Sequence, residues 1–159
     1  MFVGHLPKKY QYDKRFPKPL AVMSWVNMFN KNIQRGMHKS AAAQRKGLET
    51  FEAPEGFHTE VYDVPVKGST IRMYSIEPEE LVGKTKVPVI FNTHGGGFYF
   101  PLGVDEIRNS GYFAKKAKAR VFLPDYRTSI EAPFPIPFSD CVESFQYMIV
   151  HADELDIDI

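Results

Sequence analysis

The sequence predicts an α/β fold, with a mixed, mostly parallel sheet flanked by helices and preceded by helices at the N-terminus. Three observations carry that prediction. The hydrophobic period changes from helical spacing before residue 55 to strict alternation after it. Two short, nearly unbroken apolar runs follow, at residues 87–91 and 120–126. Each run precedes a segment of helical period, so strand and helix alternate after an opening hairpin. The 159 residues are 43% apolar, which is enough for a packed core of one modest domain.

Taken in order, Pro17 and Pro19 precede a first helical pattern in which Met23, Val26, Phe29, Ile33 and Met37 recur on one stripe. Residues 40–51 are Ala-rich and predict a second helix, ended near Pro54-Glu55-Gly56. Tyr62, Val64 and Val66 then alternate with polar residues, Lys67-Gly68-Ser69 signals a turn, and Ile71, Met73 and Ser75 alternate again. That is an antiparallel hairpin. Residues 78–86 read as a polar loop. Residues 87–91 predict a buried parallel strand that runs into His94-Gly95-Gly96-Gly97. Asp105 and Glu106 open a helix with Ile107, Gly111, Ala114 and Ala117 on one face. Lys115, Lys116 and Lys118 close it, as the helix dipole favours. Residues 120–126 predict the next strand. After the Pro-rich residues 133–137, Ser139 or Asp140 is expected to cap a last helix with Val142, Phe145, Ile149 and Ala152 on one side.

Charge is unevenly distributed. Residues 1–50 hold ten Lys/Arg against two Asp/Glu, and residues 51–159 hold ten against seventeen. The basic segment is a solvated helical face, a surface for an anionic partner, or a partner for the acidic remainder of the chain. No groove-reading motif accompanies it, so nucleic acid is not the expected partner. Cys141 is the only cysteine, which excludes an internal disulfide and fits a reducing compartment. The first ten residues lack the pattern of a secretory signal. The longest apolar stretch, residues 20–29, is broken by Ser24 and Asn27 and falls far short of the ~20 residues that span a bilayer. The expectation is a cytoplasmic protein without a membrane span.

His94-Gly95-Gly96-Gly97-Phe98 follows directly on a predicted buried strand. Three glycines permit φ > 0 and a close approach to a ligand, with N–H groups turned into a pocket. Donors so placed can stabilise the oxyanion of a tetrahedral intermediate. A phosphate cradle is the rival reading, but neither Gly-Lys-Ser/Thr nor G-x-G-x-x-G is present. A tight turn with no ligand is the third. No cofactor or metal is called for.

The strand-HGGGF element resembles the oxyanion motif of lipases and esterases. Asp125-Tyr126-Arg127, then Glu131, then Pro133-Phe134-Pro135, and Asp140 with its helix, are similar to the downstream signature of the hormone-sensitive-lipase branch of the α/β-hydrolases. Thr128-Ser129-Ile130 stands where that family usually reads Leu-Ala-Pro. The resemblance covers residues 60–159, and residues 1–50 correspond loosely to the family's N-terminal cap helices. It implies a partial α/β-hydrolase fold, with residues 1–50 as a basic helical cap segment and 51–159 as the N-terminal half of the core. It implies a small-molecule ester substrate. Gly96 and Gly97 would donate the oxyanion N–H groups, Gly95 would shape the turn, and His94 would fix the loop by hydrogen bonds. Asp125 and Arg127 would be structural, pairing within the loop beside the site, and Glu131 would support the same loop. Met23, Val26, Phe29 and Ile33 would face the mouth of the site.

None of the serines stands in G-x-S-x-G, the turn that carries the family's nucleophile. The expectation is therefore an N-terminal fragment of a serine esterase, inactive alone, that keeps the oxyanion loop and lacks the nucleophile Ser and the triad Asp and His. A truncated non-catalytic remnant or a binding module is the alternative. The family's fifth strand is expected to be absent, leaving the strand at residues 87–91 as an open edge through which the chain self-associates.

Overall fold

The computed structural model describes residues 31–159, apart from the side chains of residues 31, 33 and 34. The cap face drawn from Met23, Val26, Phe29 and Ile33 lies outside that description. The chain divides into compact units Met1–Gly36 and Met37–Ile159, and the second holds everything that follows.

The elements are α1 (Lys31–Glu49), β1 (Phe57–Val66), β2 (Ser69–Pro78), β3 (Val87–Phe91), α2 (Val104–Ala117), β4 (Arg120–Pro124), α3 (Ile136–Val150) and β5 (Ile157–Asp158). A single helical turn, Glu79–Leu81, interrupts the expected polar loop after β2. Residues 31–49 form one continuous helix, where the sequence suggested a break before residue 40.

The hairpin is regular. Val64 faces Ile71 and Tyr62 faces Met73 across the ladder, and Gly68 takes the left-handed φ of +72° in the two-residue turn. The sheet order is β1-β2-β4-β3-β5. The first two pairings are antiparallel, and β4 with β3 and β3 with β5 are parallel.

Side chains of alternate strand residues divide the core into two layers. Val64, Ile71, Met73, Phe122, Met148 and Ile157 pack on one face, and Leu48, Tyr74, Ile76, Ile107, Val121 and Leu123 on the other. α3 thus covers one face, and α1 and α2 the other. β4 lies inside the sheet with both faces covered and all five residues buried, which is why its sequence does not alternate.

Several expectations need correction. A fifth strand is present: Ile157 and Asp158 pair with Val87 and Pro88, after the turn of residues 151–156 and a left-handed Asp156. Two residues are too few to show a period, so nothing in the sequence marked it. Among the described residues, the far side of β3 has no strand partner only beyond Pro88. β4 ends at Pro124, not residue 126. Ala117 is exposed, since α2 ends as its last turn leaves the sheet. α3 begins at Ile136, three residues before the expected cap, and buries Pro137, Asp140, Ser144 and Met148. Val142, Phe145 and Ile149 stay more than a third exposed. The helix turns a polar stripe inward because Asp140 meets Arg127 there, with Oδ1 and Oδ2 receiving Nη2 at 2.6 Å and Nε at 2.9 Å.

Glu77 on β2 and Arg120 on β4 form a second buried pair. Arg120 Nε lies 3.0 Å from Oε2 and Nη2 2.9 Å from Oε1, and Nη1 donates to the Leu155 carbonyl at 2.6 Å. This guanidinium ties the middle of the sheet to the turn that delivers β5. Removing one member leaves the other charged and unpaired in the core. Glu77→Ala is expected to lower unfolding free energy by about 3–5 kcal/mol, read from urea melts.

Candidate active site

The direction of the chain reverses its sense across the sheet at β3. The β3–α2–β4 connection places β4 on one side of β3, and β4–α3–β5 returns to the other. Helices leaving neighbouring strands therefore diverge to opposite faces. A crevice opens outside the carboxyl end of β3, where open α/β sheets bind ligands. Thr93, His94, Gly95, Gly96 and Gly97 occupy that position.

The loop has an uncommon backbone. Gly96, Gly97 and Phe98 have φ of +108°, +60° and +62°. A Cβ on Gly96 would lie 3.0 Å from both the Cβ and the carbonyl O of Phe100, so this position requires glycine on two counts. The Gly96 carbonyl is turned inward and accepts N–H groups from Tyr99 and Phe100 at 3.0 and 3.2 Å. Among the described residues, the N–H groups of Gly95, Gly96 and Gly97 have no acceptor.

His94 is 5% exposed and holds the loop rather than facing a substrate. Its ring stacks on Tyr126 with centroids 4.1 Å apart and planes at 5°. The Tyr126 hydroxyl donates to the His94 carbonyl at 2.9 Å. His94 Nδ1 lies 2.8 Å from the Gly95 carbonyl. A carbonyl only accepts, so Nδ1 carries the proton and Nε2 is bare in the neutral ring. Burial pushes the imidazole below its ordinary value, against the opposing pull of the Gly95 carbonyl and the Asp125 charge.

Thr93, His94, Gly95, Gly97, Phe98, Tyr126, Phe138 and Cys141 line a cavity of about 350 Å³. Its walls are aromatic and apolar, with the glycine backbone as the polar edge, the usual make-up of a small-molecule site. Burial, with the Asp140 charge behind it, pushes the Cys141 thiol up to about 11, so it stays protonated and serves as wall. A larger cleft of about 440 Å³, lined in part by Arg45, Arg72, Asp125, Arg127 and Glu131, lies on the other side of residues 125–127. Its charges are already engaged with one another, and it contains none of the glycine N–H groups. The smaller cavity is the one equipped for chemistry.

The structure brings His94, Gly95 and Gly97 to one cavity, with Gly96 shaping its edge. It separates the pair expected within the following loop: Asp125 bonds Arg45 on α1, and Arg127 bonds Asp140 on α3. Glu131 supports the loop through the Thr128 N–H at 2.8 Å. Sequence reasoning gave Tyr126 no task and passed over Cys141, Phe138 and Arg45. Only the buried carboxylate of Asp125 hinted at a cation to match it.

Comparison with known proteins agrees with this geometry. Residues 90–159 match the family described as alpha/beta hydrolase fold. An esterase of Gibberella moniliformis is 30% identical over 116 residues, covering 69% of this chain and 34% of that protein. The amyloplastic tuliposide A-converting enzyme b1 of Tulipa gesneriana is 29% identical over 127 residues, covering 73% and 32%. Among solved structures, a thermostable carboxylesterase from a metagenomic library superposes with a TM-score of 0.63 at 24% identity, covering 79% of this chain and 41% of that one. A hyperthermophilic esterase of Pyrobaculum calidifontis gives 0.62 at 22% identity, covering 89% and 44%.

The described residues have the α/β-hydrolase fold, over the part of it that they span. Within that fold the chain falls with the hormone-sensitive-lipase-like esterases, a match of partial coverage. It spans about a third of the length of the curated relatives it matches. Among the described residues no helix is long and apolar enough to cross a membrane.

Two outcomes test the loop. Gly96→Ala is expected to cost about 1–3 kcal/mol through its φ and the Phe100 contact. Gly95→Ala, with open space at its Cβ and no positive φ, is expected to melt as the parent does. His94 binds its proton more weakly folded than unfolded. The unfolded chain therefore holds more protons below the ordinary value of 6.5, and stability falls as pH drops through that region. Urea midpoints at about pH 7.5 and 5.5 check the sign, and ring ¹⁵N spectra at neutral pH are expected to show the Nδ1–H tautomer.

Proposed function

We propose that this chain contributes to the hydrolysis of carboxylic esters, with the Gly96 and Gly97 N–H groups as oxyanion donors and a small-molecule ester as substrate. The observation that carries this reading is a run of backbone donors without internal acceptors, held at the mouth of an apolar cavity at the switch point of the sheet. As a carbonyl carbon becomes tetrahedral, charge collects on its oxygen. Donors already fixed in place stabilise that charge without reorganisation. Gly95 shapes the turn, and His94 keeps Gly95 and Tyr126 in register. With its proton on Nδ1 and its Nε2 buried, His94 is not the general base.

In this reading the nucleophile, its base and its acid are not among these 159 residues, since no serine stands in G-x-S-x-G. The 159-residue chain by itself is expected to leave p-nitrophenyl acetate untouched above a denatured control and to resist a fluorophosphonate probe. Stoichiometric labelling of any serine refutes that. In an active form of the protein, Gly97→Pro is expected to lower turnover on the order of 100-fold with a smaller change in KM, because one donor is lost. Proline also resists the φ of +60°, so Gly97→Ala, which keeps the N–H, separates donor loss from loop distortion. Turnover within a few-fold of the parent in Gly97→Pro ends the oxyanion assignment. The lone cysteine fits a reducing compartment, and we place the protein in the cytoplasm.

The uncovered part of the β3 edge and the exposed Phe138, Phe145 and Val150 support self-association. Sedimentation of the 159-residue chain at micromolar concentration is expected to show oligomers.

A further inference from the structure

We propose that Arg45, on α1, is a positioning residue for the oxyanion loop: its guanidinium clasps the two acids that hold the loop in place. The inference rests on the oxyanion reading for its functional meaning and on side-chain geometry for its content. Arg45 Nε donates to Asp125 Oδ2 at 3.0 Å and Nη2 to Asp125 Oδ1 at 3.3 Å, while Nη1 reaches Glu131 Oε1. One planar fork thus serves two carboxylates, which a lysine ammonium cannot do with the same fixed orientation.

Each acid passes the constraint on. Asp125 Oδ1 also accepts the Leu102 N–H at 3.3 Å, at the far end of the glycine segment. Glu131 Oε2 accepts the Thr128 N–H at 2.8 Å and its hydroxyl at 2.9 Å. The next residue, Ser129, donates its N–H and its hydroxyl to the Phe98 carbonyl at 2.7 and 2.8 Å. Between the two acids, Tyr126 holds the His94 carbonyl. The loop is therefore attached near its start, middle and end, at His94, Phe98 and Leu102, each time to residues 125–129. Without Arg45, Asp125 keeps one backbone donor for a carboxylate that is 8% exposed, and it faces Glu131 with no cation between them. A backbone with three successive positive φ values persists only while its surroundings over-determine it.

The test uses the 159-residue chain and amide hydrogen exchange followed by NMR, which needs no catalysis. In Arg45→Gln, exchange at Gly96, Gly97 and Phe98 is expected to rise about tenfold or more, with shifted resonances, while amides of Val121 and Leu123 in β4 keep their protection. Arg45→Lys is expected to recover only part of the effect. Should Arg45→Gln not fold, Glu131→Gln removes one arm of the clasp and is expected to loosen Phe98 and leave Leu102 as it was. Unchanged exchange across the glycine segment in a folded Arg45→Gln overturns the proposal. An equal rise in loop and β4, which marks Arg45 as a contributor to global stability alone, overturns it too. If the loop loosens as expected while Gly97→Pro leaves turnover intact in an active form, the oxyanion reading fails and the clasp stands.

Discussion

β4 lies on one side of β3 and β5 on the other, so the connections that leave β3 and β4 must part to opposite faces of the sheet. That parting constrains the rest of the structure. Between the two connections the carboxyl end of β3 has no helix over it, and the chain leaving β3 must turn sharply under its own power. A side chain at the turn would meet Phe100 at 3.0 Å, so glycine is required there. A turn made of glycines, however, has little to hold it, because it has no side chains of its own to pack.

The structure supplies the missing rigidity from outside the turn. Residues 125–131 lie beside it because β4 is paired to β3 and ends level with it: Phe91 is in register with Phe122, and the Asn92 N–H donates to the Phe122 carbonyl at 2.8 Å. Alternation then sends Tyr126 toward His94, and Asp125 and Arg127 toward the other cleft. One loop thus gives the cavity its aromatic wall and gives the fold two anchors, Arg45 on α1 and Asp140 on α3, on opposite faces of the sheet. The polar content of this small core is explained by that task. Asp140 and Thr128 are fully buried because each is half of a connection that spans elements.

How much of this could be seen in the sequence follows from the range of each interaction. The hairpin was legible because its period, turn glycine and apolar face all lie within twenty-odd residues. β3, β4 and the glycine turn between β3 and α2 were legible for the same reason, and the family signature added the segment from Asp125 to Asp140. The inward face of α3 was misread. Val142, Phe145 and Ile149 are the more hydrophobic stripe, and hydrophobicity predicts the inside only when the polar alternative has no partner. Here Arg127 waited thirteen residues away. Arg45 was invisible for a stronger reason: its partners stand eighty and eighty-six residues downstream, and nothing around it distinguishes it from the other cations of a basic helix.

The same contrast bears on how the site and the core divide their demands. Arg120 and Glu77 pair deep in the sheet with no role beyond fixing β2, β4 and the turn before β5, and their geometry is two-pronged and closed. Arg45 pairs at the rim, is 30% exposed, and spreads its donors over two acids from one loop. The first arrangement locks elements of regular structure, which already have hydrogen-bonded ladders. The second fixes irregular backbone, which has no ladder, and each donor it places there substitutes for a missing one. Backbone N–H groups that are to meet a developing charge must be left without partners in the resting protein. The order they lose by being unpaired has to come from side chains that reach the loop without occupying those groups. Tyr126, Asp125 and Ser129 do this by taking hold of the carbonyls of His94 and Phe98 and the N–H of Leu102, leaving the N–H groups of Gly96 and Gly97 open.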